Sequence, residues 1–205
     1  MSDTDTNLDG ARLTHADRRA TLLDSAAALI AAGDPDAVTM DAVAEHARVS
    51  RPLVYKHFAN RAELLEELYL RESLALHRDL SSAVAEATTL EDMFRALVRG
   101  SLEAQATRGA TFATLRAAGS RTDERRREQR RRDGVTLRFF MREVMAAFAL
   151  GEKEARAGVA IVLGAIDAVL LAWRARPTSE HATLLEDTYV TLVMGGLSAL
   201  SATAP

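Results

Sequence analysis

Apolar residues recur at helical spacing along almost the whole chain. Ala20, Leu23, Ala27 and Ile30 form a first stripe, opened by Thr14 with Asp17 as a capping pair. Gly33 and the turn Asp34-Pro35-Asp36 close it. Thr39 is an N-cap for a short helix whose narrow stripe is Val43, Ala44 and Ala47. Val49 plugs a turn. Ser50 is the next N-cap, with Pro52 in the first helical turn, where a missing N–H is harmless. Val54 then faces back onto Val43 and Ala47. Asn60, with Glu63 as its capping-box partner, opens a long helix from Arg61 to about Ala85 that carries Leu64, Leu65, Leu68, Leu76 and Leu80.

Beyond it the pattern predicts a helix from Thr89 with Met93, Phe94, Leu97 and Leu102, interrupted at Arg108-Gly109. A helix over 110–118 follows, then a break at Gly119-Ser120 and a long helix over 121–148. Gly151 separates this from a helix over 152–174, the loop 176–179 intervenes, and a last helix covers 180–200. No strand-like alternation and no internal repeat occur, so the expected fold is all-α.

The segment from Thr39 to Arg61 is the most informative. Two short helices joined by a tight turn make a helix-turn-helix, the geometry that lays a second helix in a DNA major groove. That second helix carries Arg51, Tyr55, Lys56 and His57.

Charge and composition refine this picture. The 205-residue chain is 48% apolar and has no cysteine, so disulfides and thiolate metal sites are excluded. Its net charge of −3 does not advertise nucleic-acid binding. Within Thr39–Arg61, however, Arg48, Arg51, Lys56 and Arg61 outnumber Asp41 and Glu45, giving a basic patch where phosphates would lie. The N-terminus is acidic and polar. The most apolar stretch, 159–173, is short and contains Asp167, so no membrane partner and a cytoplasmic location are expected.

The run V-A-x-x-A-x-V-S-x-x-x-V-Y-x-H-F-x-N-R-x-x-L-L resembles the signature of the tetracycline-repressor-like (TetR) family of bacterial transcription regulators, over roughly Leu22 to Leu68. Arg48 departs from the family's usual glycine. The resemblance implies an N-terminal three-helix DNA-binding domain with helix-turn-helix and a C-terminal helical domain for ligand binding and dimerisation. The expected boundaries are a disordered tail over 1–12, a DNA-binding domain over 13–60 and an effector and dimerisation domain over 61–205. Arg51 and Lys56 are the best base-reading donors, and Pro52 and Leu53 would touch base edges. Tyr55 and His57 would meet phosphates. Thr39 and Arg61 would anchor phosphates at helix N-termini, and Arg48 and Ser50 complete the DNA-binding set.

In the last two helices Ala160, Leu163, Gly164, Asp167, Leu170 and Leu171, and Thr188, Leu192, Gly195, Gly196 and Leu200, lie at helical spacing. The resemblance implies that such helices form a four-helix bundle across a two-fold axis. It also implies a ligand pocket among the middle helices. Candidate lining residues are Met93, Phe94, Phe112, Leu115, Arg116, Phe139, Met145, Asp167 and Trp173, and Arg116 or Asp167 there would suit a polar or charged effector.

No nucleophile elbow, phosphate loop or HExxH pair is present, so no catalytic residues, metal or cofactor are expected. Arg121–Arg132 interleaves Arg with Asp and Glu and reads as a solvated helix face or mobile loop rather than a second nucleic-acid site. The expected function is a homodimeric transcriptional regulator, a repressor released from a palindromic double-stranded operator by a small molecule. A regulator without such an effector, controlled by a partner or by abundance, is the alternative. A helical enzyme or scaffold that keeps the motif only as structure is a distant third.

Overall fold

The computed structural model describes residues 14–32, 38–118 and 123–203. Among them are eight helices and no strand: α1 (His15–Ala31), α2 (Met40–His46), α3 (Arg51–His57), α4 (Arg61–Glu86), α5 (Leu90–Ala118), α6 (Asp123–Phe148), α7 (Glu152–Ala175) and α8 (Ser179–Thr203). The expected tail, the turn at 33–36 and the break at Gly119-Ser120 lie outside the described residues. So do the side chains of Arg116 and of most of the arginine-rich run.

The chain divides into two compact units, residues 1–68 and 69–205, and the division falls inside α4. In the first unit α1 packs on α2 and α2 on α3. Leu22, Ala26, Ile30, Val38, Val43, Val54, Phe58, Leu64, Leu65 and Leu68 are essentially inaccessible to water there. Thr14 and Asp17 form a complete capping box at α1. The hydroxyl and backbone N–H of Thr14 hold the Asp17 carboxyl below its ordinary value.

The second unit is a bundle of α5–α8 and the C-terminal part of α4, in which α6 lies on α7 and α5 on α8. Phe94, Val98, Phe140, Val144, Val159, Val190 and Leu197 lie at its centre, and Phe94 stacks on Phe140 with ring centroids 4.9 Å apart. The expected interruption at Arg108-Gly109 does not occur, because α5 runs unbroken from Leu90 to Ala118. A helical glycine costs only about 1 kcal/mol relative to alanine, which flanking packing can offset. Arg108 contributes an ion pair to Asp79 of α4 at 3.1 Å. At Gly100 a Cβ would lie 2.6 Å from Leu80 Cδ2, so any larger residue there requires the end of the Leu80 side chain to move aside.

Candidate nucleic-acid interface

Local chemistry builds the helix-turn-helix. The Thr39 hydroxyl accepts the N–H of Ala42 at 3.0 Å and starts α2. Arg48 takes the left-handed conformation, φ 54°, and the Val49 N–H closes the turn on the Ala44 carbonyl at 2.9 Å. Ser50 occupies the N-cap position of α3, but its side chain makes no capping bond; Pro52 supplies the pre-set φ instead. At the start of α4, Asn60 Oδ1 accepts the Glu63 N–H at 3.0 Å. The Glu63 carboxylate reaches one residue further back than a standard capping box, accepting the Ala59 N–H at 2.7 Å.

Arg19 of α1 is a fastener that the sequence pattern does not single out. Its guanidinium donates to the carbonyl of His57, the last residue of α3. It also pairs with Glu67 of α4 at 3.1 Å and lies 4.2 Å from the centre of the Phe58 ring. One cation thus ties α1, the end of α3 and the start of α4 together.

These contacts fix which face of α3 turns outward. Val54 and His57, three residues apart on one side, are buried. Ser50, Arg51, Pro52, Tyr55 and Lys56 are exposed, Leu53 is half-buried, and Arg48 and Thr39 are exposed beside them. Arg51 and Asp41 of α2 form an ion pair with Nε 2.7 Å from Oδ1, and the guanidinium carbon sits 5.5 Å from the Tyr55 ring centroid. The Tyr55 hydroxyl first, and then Asp41, raise the Arg51 pKa above its ordinary value.

Two of the expected DNA contacts are placed differently. His57 is only 7% exposed. Its ring lies 4.3 Å from that of His15, and its buried Nδ1 has no hydrogen-bond partner among the described residues. The ring follows Val54 inward because α3 repeats that face every three to four residues. Arg61 is partly buried, with Nε donating to the Val38 carbonyl at 2.6 Å. It therefore clamps the start of α4 to the entry of α2, a structural task beside any phosphate contact.

His57 gives the first unit a pH dependence. Burial, followed by the positive fields of His15, Arg19, Lys56 and Arg18, pushes its pKa down. The unfolded chain takes up this proton near pH 6.5, whereas the folded chain resists it. Stability from this site is complete above about pH 6.5 and is lost as pH falls below that value. Melting followed between pH 7.5 and 5 should show the loss in wild type, and His57→Gln should flatten it. An unchanged slope in the variant would exclude His57 as the source.

In the second unit a cavity of about 340 Å³ opens between α4, α5, α6 and α7. Polar groups from Tyr69, Ser73, His77, Ser101, Gln105, Arg132, Asp133, Thr136 and Asp167 line it, beside Leu76, Leu80, Ala104, Phe112 and Leu170. Of the expected lining residues, Phe112 and Asp167 are in this wall. Phe94 and Leu115 are instead sealed in the core, and Met145 reaches the surface. Met93 and Phe139 pack against the core cluster, and Trp173 borders a separate cleft beside Arg99 and Glu186. The polar wall from α4 was missed because Tyr69, Ser73 and His77 sit among leucines on a helix whose apolar stripe dominates the pattern.

Alongside that cleft, Glu186 of α8 is nearly buried and receives Arg99 Nη2 at 2.6 Å and Arg95 Nη1 at 3.1 Å. Burial pushes the Glu186 carboxyl up, but the two guanidinium groups outweigh it and hold it below the usual range. The pair of arginines locks α5 to α8.

One stripe of the exposed surface of α7 and α8 is mostly apolar. Ile161 is 73% exposed, Leu171 64%, Leu184 61%, Leu192 69% and Leu200 38%. Ala160, Gly164 and Thr188 are exposed on the same helices, while Leu163 and Leu170 are half-buried. Gly164, Gly195 and Gly196 have no described atom within 4 Å of where a Cβ would stand. Residues 157, 160, 161, 164, 168 and 171 of α7 recur every three to four positions, as do 184, 188, 191, 192, 195 and 199 of α8. By length and composition α7 could cross a membrane. It packs against α5, α6 and α8, however, and it exposes Asp167.

Residues 22–68 match the family model described as bacterial regulatory proteins, tetR family. No curated protein matches the chain. Solved structures share the fold across nearly its whole length. A proposed transcriptional regulator from Pseudomonas aeruginosa PAO1 is 16% identical with a TM-score of 0.70, covering 94% of each chain. A TetR-like transcriptional regulator from Rhodococcus sp. RHA1 is 19% identical with a TM-score of 0.65, covering 91% of this chain and 99% of its own. The regulator FadR from Bacillus subtilis, solved in complex with stearoyl-CoA, is 16% identical with a TM-score of 0.61, covering 86% of this chain and 98% of its own.

Proposed function

We propose that this chain, whose residues 22–68 match the tetR family model, is a transcriptional regulator of that family and a homodimeric repressor, held on a palindromic operator and released by a small polar molecule. The observation that carries the DNA-binding half is the outward face of α3, with Arg51, Pro52, Tyr55 and Lys56 presented together on a helix fixed by Arg19 and the Asn60 cap. Arg51 and Lys56 supply donors for base edges. Arg48, Thr39 and Tyr55 flank them for phosphates.

The apolar faces of α7 and α8 support the dimer. A second copy would bury them and present two recognition helices one duplex turn apart, about 34–36 Å. The cavity beside α4 supports the effector. Its wall is rich in hydroxyl, amide and charged groups, so a compact polar ligand suits it better than a long acyl chain of the kind FadR holds. Helix α4 lines the cavity with Tyr69, Ser73 and His77 and begins at Arg61, beside the recognition helix. A ligand that prefers a shifted α4 would alter the separation of the two α3 helices. A hundredfold drop in operator affinity needs a coupling of about 2.7 kcal/mol. The cavity favours this reading over a regulator without an effector.

The test is selection of bound sequences from a pool of random duplexes with the full chain. An inverted repeat with half-sites one or two helical turns apart is expected; enrichment of no motif would overturn the reading. Arg51→Ala should then weaken binding to the selected duplex by about 10- to 100-fold and erase preference at one base pair. Unchanged preference would refute the base-reading role of Arg51.

A further inference from the structure

The ion pair between Arg51 and Asp41 joins two exposed side chains, each 61% accessible. Exposed pairs of this kind contribute little to stability. Its geometry has a different consequence. The carboxylate stands against the Nε side of the guanidinium, 2.7 Å away, while the Tyr55 ring flanks the group with its centroid 5.5 Å from Cζ. The Tyr55 hydroxyl also bonds this guanidinium, so a ligand would meet the N–H groups that Asp41 and Tyr55 leave over. Arginine otherwise has many rotamers to lose on binding, and a guanidinium held from two sides loses fewer.

Asp41 also biases what Arg51 can meet. A phosphate brought to this guanidinium would sit near a carboxylate of like charge. A neutral acceptor pair would not. Guanine presents two such acceptors, O6 and N7, in the major groove, at the spacing of two parallel N–H donors. Among the described residues neither Arg48 nor Lys56 has a carboxylate partner. Arg48 thereby keeps the freedom that a phosphate contact uses.

We propose that Asp41 is a positioning residue that, with Tyr55, sets Arg51 end-on toward a guanine and makes the operator half-site specify one G·C base pair. The proposal rests on the reading of α3 as the recognition helix. Asp41 would not touch DNA; it acts through the arrangement of Arg51.

The experiment uses the full chain and the half-site recovered by duplex selection, with every base pair varied singly. Wild type should prefer G·C at one position by about tenfold or more. Asp41→Asn should reduce that preference to about threefold or less. It should bind duplexes lacking that guanine as well as wild type does, or better, because a negative charge has left the DNA-facing surface. Asp41→Glu, which keeps the carboxylate, should restore part of the preference. A residue that only steadied α2 would change the melting temperature and weaken all duplexes alike. The proposal is overturned if Asp41→Asn keeps the full preference. It is equally overturned if this variant tightens every duplex by the same factor, for then Asp41 merely shields the DNA-facing surface. If Arg51→Ala also leaves the preference intact, it is the reading of α3 that fails.

Discussion

Replacing Leu192 with glutamate is expected to leave a folded chain that no longer dimerises and to cut operator affinity at least 100-fold. Leu192 is 69% exposed in the single chain, on the exposed stripe of α8 between Thr188 and Gly195. Its removal therefore creates no cavity, and the protomer should keep its melting behaviour apart from the contribution of association. In a two-fold interface the same residue enters from both copies, so the substitution brings two carboxylates into one apolar surface. Loss of pairing then removes the second half-site. Linked modules commonly bind about 10² to 10⁴ more tightly than one module alone, and that factor is what should disappear. Sedimentation equilibrium and binding to the selected duplex check both parts. A variant that sediments with the same mass as wild type would exclude α8 as the pairing surface.

The second large effect concerns stability within the first unit. Phe58 is 1% exposed, follows α3 directly, and carries the Arg19 guanidinium 4.2 Å above its ring. Phe58→Ala should remove about 3–5 kcal/mol through lost burial and the cavity left behind. The cation–ring contact adds about 0.5–2 kcal/mol to that loss. Two helices of this unit are seven residues long, too short to persist without tertiary packing. The unit should therefore open at ordinary temperatures, and sequence-specific binding should vanish with it. Hydrogen exchange separates the two units. Amides of α1 to α3 should lose protection in the variant while those of α7 and α8 keep theirs. Equal loss in both, or in neither, would contradict Phe58 as the local keystone.

The parts of this molecule that were legible in the sequence are those governed by short-range rules. The caps at Thr14, Thr39 and Asn60 each join residues three apart and followed directly from residue type. The left-handed turn at Arg48 followed from the resemblance, because the family's motif usually has glycine there. The helices α6, α7 and α8 followed from their periodicity. The unbroken α5 did not, because Gly109 weakens a helix locally while packing elsewhere decides whether it breaks.

What the pattern could not show was which partner meets which across the fold. Arg19 reaching His57, Arg61 reaching Val38, and Arg99 reaching Glu186 are 38, 23 and 87 residues apart in the chain. Nothing in the residue types marks those pairs. The inward turn of His57 is of the same kind: it shares a helix face with the core residue Val54, whereas the family resemblance implied a phosphate contact, with local packing as the alternative. The cavity wall was half legible. Phe112 and Asp167 lie on the middle and C-terminal helices among which the resemblance implies a pocket, whereas Tyr69 and His77 join the wall only through the placement of α4 beside it.

Everything proposed for this protein requires that α3 read a duplex groove and that two copies of the chain read it together. The most direct test is a fluorescence-anisotropy titration of the full chain against the promoter duplex upstream of its own gene, with random duplex as competitor, at physiological salt. Two chains per duplex are expected, with affinity at least about 10³-fold above that for random sequence. Equal affinity for both duplexes, or saturation by a single chain, would contradict that requirement.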